Sequence, residues 1–208
     1  MNDMALIVNN RGDGIPTALA ETEQAGRNCG LNSKQVLQLR LLAEELFGMM
    51  RGIAGDVDAR YFVEESENRF ALHLNAEVRM TQEVRKQLLS VSSQRKNAAA
   101  VGFMNKLKDM ISAALLPDNS GLSLTSGFSL GVMSTVRNTD PLARQASEEV
   151  FSWSMRQYKT AVDGQRLNSG DAESAWDELE KSIVASIADE VTVSITGSHV
   201  DVCILKFF

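Results

Sequence analysis

Glu45 is the residue whose setting most invites chemistry. It lies in the stretch Leu39-Arg-Leu-Leu-Ala-Glu44-Glu45-Leu-Phe-Gly-Met49-Met-Arg-Gly-Ile53. Leu39, Leu42, Ala43, Leu46, Met50 and Ile53 recur there at helical steps, so the stretch predicts a helix with one apolar face toward a core. Glu45 falls at the edge of that face, one turn before Met49. A carboxylate at such an edge either faces a pocket, where it is a candidate base, or is simply half exposed. Spacing alone favours exposure. Its neighbour Glu44 stands one turn after Arg40 and two turns before Arg51, as in a solvated charge ladder.

The other residues able to do chemistry are scattered. Cys29, Cys203, His73 and His199 have none of the close spacings of a zinc site. No Ser/His/Asp or Cys/His set at useful spacing points to hydrolytic chemistry. His73 belongs to the polar side of an alternating strand and reads as a surface histidine. Gly12 and Gly14 form a bare G-x-G, which fits a turn better than a phosphate loop because the rest of the fingerprint is missing. Arg79, Arg85, Lys86, Arg95 and Lys96 form a basic cluster, better taken as a solvated face than as an anionic partner site.

The elements that must position these residues follow from periodicity and breakers. Ala5–Val8 predicts a strand, closed by the turn residues through Gly14. Ile15–Cys29 predicts a helix with Pro16 in its first turn and Gly30 at its end, and Asn32 or Ser33 then caps the Glu45 helix. Ala59–Glu65 and Arg69–Arg79 predict a β-hairpin whose second strand is apolar on one side only. Helices are expected from Thr81 to about Lys96, over Ala98–Leu116, from Asp140 to about Val162, and over Asp171–Ala188. The stretch between Leu122 and Thr139 is rich in Ser, Thr and Gly and fits a loop or bent strands. A last hairpin pairs Val191–Ile195 with His199–Phe208, and apolar residues on both sides of its final strand predict a central position.

This order is an α+β layout: one mixed or antiparallel sheet covered on one face by helices. The core is expected in residues 1–80 and 189–208, with 81–188 as a mostly helical insertion. The chain has 208 residues, 44% apolar and 23% charged, as in soluble globular proteins. Its net charge of -6 argues against a nucleic-acid partner. No apolar run approaches the ~18–20 residues that span a bilayer, so no membrane is expected. Two distant cysteines and no signal peptide point to a cytoplasmic protein with reduced thiols.

Gly30-Leu31, the Leu39–Ile53 helix and the Ala59–Arg79 hairpin together resemble the histidine-kinase-like ATPase (GHKL) fold, in its anti-sigma-factor serine-kinase branch. The resemblance covers about residues 5–80 and 189–208. It implies a strand and helix, a long helix with a catalytic Glu and a Mg²⁺-binding Asn one turn later, two strands of which the second ends in Asp-x-Gly-x-Gly, a glycine-rich lid and two last strands. The implied base falls on Glu45 and the implied metal ligand on Met49, whose thioether is a poor donor to hard Mg²⁺. The implied adenine-reading Asp falls on Asn75 or Ala76, and no glycines follow. Gly127-Phe-Ser-Leu-Gly131, with Ser129 in place of a middle glycine, is a weak echo of the glycine motif that the resemblance implies for the lid region.

Glu45, Met49, Asn75 and Ala76 would thus be a vestigial ATP pocket, with no metal site and no cofactor. The resemblance then implies a non-catalytic regulatory module that binds a protein partner. The methionines Met104, Met110, Met133 and Met155 are candidates for added partner surface, although core filling explains most of them more simply. The alternative is an active serine kinase that still binds ATP and Mg²⁺, with Glu45 as base. A third possibility is an unrelated α+β module with a ligand pocket between the sheet and the 98–188 helices.

Overall fold

The computed structural model describes residues 5–53, 56–78, 102–115, 150–166 and 170–208. These form an α+β structure in which helices pack on an antiparallel sheet of order β1-β2-β3-β6-β5-β4. The strands are β1 (Leu6–Asn9), β2 (Asp58–Ser66), β3 (Arg69–Glu77), β4 (Val150–Ser154), β5 (Glu190–Thr196) and β6 (His199–Phe207). The helices are α1 (Ile15–Asn28), α2 (Ser33–Arg51), α3 (Phe103–Ala114), α4 (Met155–Gln165), α5 (Gly170–Lys181) and α6 (Ile183–Ile187).

Register assigns each strand residue to a face. One row runs Leu6, Tyr61, Leu74, Val202, Val193 and Trp153 across all six strands. All but the partly buried Leu6 are fully buried beneath the helices. The Phe47 ring of α2 meets the Tyr61 ring edge-on at 4.8 Å, which places α2 on this face. Residues one step along each strand point the opposite way, and most of them are exposed or half-buried. β6 is central, as its apolar residues on both sides predict, although Phe207 on the second face is 50% exposed.

Helix α2 is flanked by α1, α3 and α6. That setting explains why its buried set is wider than one stripe. Leu39, Leu42, Ala43, Leu46 and Met50 are fully buried as periodicity predicts, and Phe47 and Met49 join them. Its start is fixed by a capping box: the Asn32 side chain accepts from the Lys34 and Gln35 amides, and the Gln35 side chain accepts from the Asn32 amide. Between α1 and β2 there is one buried polar contact. The Thr22 hydroxyl donates to the Ala18 carbonyl at 2.7 Å, so the Tyr61 hydroxyl 2.6 Å away donates to Thr22. Burial pushes the Tyr61 phenol up, partly offset by the Thr22 hydrogen bond.

Three expectations change. The helix from Asp140 to Val162 is, in its described part, strand β4 followed by α4. Phe151 and Trp153 alternate with Ser152 and Ser154, a period of two that puts both rings on the buried face. Ser154 ends the strand by capping α4, accepting from the Gln157 amide. The 81–188 region therefore contributes a strand to the core sheet. The Asp171–Ala188 helix is two helices, because Ser182 adopts an extended backbone and caps α6. Ile183 consequently leaves the apolar stripe and is 45% exposed. The Thr81–Lys96 helix, its basic cluster from Arg79 onward, the Leu122–Thr139 stretch with Gly127–Gly131, and Met133 lie outside the described residues.

Candidate functional site

The four residues of the implied ATP pocket do not share one cavity. Glu45 on α2 is half-buried, and among the described residues no ion pair or hydrogen bond engages its carboxylate. Met49 is 3% exposed and belongs to the apolar core, as does Ala76 at 6%. Asn75 points away from them. It lies on the open face, where its amide donates to Asp201 Oδ1 at 2.6 Å. Strand alternation forbids Asn75 and Ala76 from facing the same side, so Asn75 cannot join Glu45 and Met49. Among the described residues, no group of three or more His, Cys, Asp and Glu side chains is placed to hold a metal.

The G-x-G loop is a turn. Asn9 Oδ1 accepts from the amides of Arg11, Gly12 and Asp13, which leaves those donors unavailable to an anion. Gly14 has φ 76°, and a Cβ there would stand 2.2 Å from the Ile7 carbonyl oxygen, so only glycine fits. The described methionines are largely core. Met110 and Met155 are buried, and Met104 is half-buried and packed against the cluster, so core filling accounts for the first two.

Pairing across strands gives His73 neighbours that its sequence surroundings lack. Its ring stacks on Phe62 with centroids 4.6 Å apart, and Nε2 lies 3.9 Å from Cys203 Sγ and 3.5 Å from Glu64 Oε2. Thiol and carboxylate both approach the same ring nitrogen. A nucleophile relay needs them on opposite nitrogens, so this trio does not form one. Burial, then the Glu64 charge, pushes the Cys203 thiol up to about 11, so it stays protonated at neutral pH. Cys29, the other thiol, is exposed and donates to Glu65 Oε2 at 3.1 Å. Its pKa is raised too, by burial first and the Glu65 contact second.

A concave surface lies on the helical side of the molecule. α1 and α2 form a helical hairpin, and along it runs a groove of about 530 Å³. Ile15, Pro16, Leu19 and Ala20 give it an apolar floor from α1. Arg27, Arg40 and Arg51, together with Glu23 and Gln24, line the rest. Glu23 is the node of this rim: it pairs with Arg27 one helical turn on and with Arg40 across the hairpin. Arg40 also donates from Nε to Glu44 at 2.8 Å. Hydrogen bonds from Arg40, then Arg27, hold the Glu23 carboxyl below the usual carboxylate range. Arg51 is exposed in the last turn of α2 and pairs with none of the described carboxylates, Glu44 included.

The charge ladder expected of Glu44 is therefore half present: Arg40 joins it and Arg51 does not. The Glu23–Arg40 pair, which ties the two helices together, leaves no signal in local spacing because its partners are on different helices; only the Glu23–Arg27 pair lies at helical spacing. No helix of the described residues is long and apolar enough to cross a membrane. No protein-family model, no curated protein and no solved structure matches the chain.

Proposed function

We propose that this protein is a non-catalytic regulatory module that binds a protein partner in the cytoplasm, built on a histidine-kinase-like ATPase scaffold without its Mg-ATP chemistry. The order β1, α1, α2, β2, β3 and the closing β5–β6 hairpin support the scaffold, since they follow the layout that the resemblance implies. The observation that carries the loss of chemistry is Met49. Where the resemblance calls for an oxygen donor one turn after the base, the chain has a thioether that is 3% exposed and packed in the core. Hard Mg²⁺ wants oxygen ligands, and a buried thioether supplies none. Ala76 likewise brings no hydrogen-bonding group to read a base.

With no metal-ligand set among the described residues, this reading leaves Glu45 no metal-bound phosphate to act on. The test is phosphoryl transfer from radiolabelled ATP, using the protein itself and Glu45→Ala against candidate protein partners. The expected result is no transfer above background in either. Transfer by the parent protein that Glu45→Ala abolishes would overturn this reading in favour of an active serine kinase.

A further inference from the structure

We propose that the α1–α2 groove docks a short acidic segment of a partner protein, one that carries apolar side chains between its carboxylates. This rests on the protein-binding reading above and gives that reading a site and a partner chemistry. The chain as a whole is acidic, with 27 Asp and Glu against 21 Lys and Arg. The groove reverses that balance, since three arginines and one glutamate line it. An acidic partner is repelled by most of this surface and attracted here, which is how charge complementarity selects a docking position.

Two of the three arginines are held ready rather than free. Glu23 fixes Arg27 and Arg40 in place, and Arg40 spends Nε on Glu44 and Nη1 on Glu23, which leaves its second amino group uncommitted. Side chains already ordered lose less entropy when a ligand arrives. Arg51 has no carboxylate partner among the described residues, so its planar fork is available for bidentate contact with an incoming carboxylate. The floor of Ile15, Leu19 and Ala20 offers apolar contact between these charges. A groove of about 530 Å³ suits a few side chains of a segment, not the face of a folded domain. A nucleic-acid strand fits less well, because its phosphates need a longer positive track than one hairpin on an acidic chain supplies.

The test is fluorescence anisotropy with labelled short peptides that alternate glutamate and leucine. Matched peptides with glutamine for glutamate, and a labelled oligothymidylate, serve as comparisons. We expect the acidic peptide to bind about tenfold or more tighter than its glutamine counterpart, with affinity falling as salt rises. Arg51→Ala should weaken it about tenfold, and Arg51→Lys should recover only part of the loss. Because Arg51 is exposed, unchanged circular dichroism is expected for both variants. Equal affinity for acidic and glutamine peptides, undiminished binding by Arg51→Ala, or a preference for the oligothymidylate would each overturn the proposal. Phosphoryl transfer separates the two claims: Glu45-dependent transfer with intact peptide binding defeats only the non-catalytic reading, and lost peptide binding without transfer defeats only the groove.

Discussion

The two faces of the sheet are made by the same strands, yet they are held together by different physics. On the covered face, side chains such as Leu72, Leu74, Val202 and Val193 are buried and apolar, and water exclusion supplies the stabilisation. On the open face, one residue along, Arg60, Asn75 and Asp201 form a polar row, and Phe62, His73 and Cys203 a mixed one. The covered face gains from volume and shape. The open face gains from pairs, each small because water competes for every partner. Substitutions therefore cost most on the covered face, and the open face tolerates more change.

The largest effect should come from beneath the covered face. Leu42→Ala removes a fully buried side chain of α2 and should cost about 2–5 kcal/mol, read from the denaturant midpoint. A loss under 1 kcal/mol would mean that this face is less closely packed than its burial implies. Tyr61→Phe probes the polar contact that joins α1 to β2 there. Thr22 keeps its bond to Ala18 but loses an incoming donor, at a cost of about 1 kcal/mol.

The same residue gives a pH dependence. The folded pKa of Tyr61 is raised, so its contribution is intact below the ordinary tyrosine value of about 10. It is lost as pH climbs from there through the folded value, because the unfolded chain releases the proton first. Tyr158, pushed up to about 12 by burial and then by Glu178, adds to the decline over the same alkaline range. Equilibrium unfolding of the parent protein should therefore weaken above about pH 10, and Tyr61→Phe should flatten part of that slope. An unaltered slope would argue that the phenol is not buried.

On the open face, Cys203 should alkylate slowly at neutral pH, with a rate that rises toward a midpoint near 11. Mass spectrometry with iodoacetamide on a Cys29→Ser background reads this directly. A midpoint at or below the ordinary thiol value would show a stabilised thiolate and revive the trio as a reactive centre. The smallest effect belongs to Asn75→Ala. It removes a cross-strand bond to Asp201 and should cost about 0.5 kcal/mol by chemical denaturation. A cost comparable to Leu42→Ala would erase the distinction between the faces.

What the sequence makes legible follows the same division. The α2 stripe is readable because burial repeats at helical steps within one segment, and the β3 alternation because one side of that strand meets water. β4 hides because Val150, Phe151 and Trp153 also satisfy a helical count, and only the pairing with β5 chooses between periods. The break at Ser182 hides because a serine cap inside an apolar repeat is a weak signal. The open-face trio depends on the β3–β6 register between residues 130 positions apart, and the Glu23–Arg40 pair depends on how two helices are rotated against each other. Glu45 and Met49 can be placed on their helix from spacing. That Met49 faces the core depends on α1, α3 and α6 surrounding α2, which no local pattern reports.

Isothermal calorimetry of the protein with ATP and ADP, each with and without Mg²⁺, is the sharpest check on the proposed loss of Mg-ATP chemistry. No saturable heat is expected in any of the four titrations. Micromolar nucleotide binding that disappears when Mg²⁺ is withheld would contradict it.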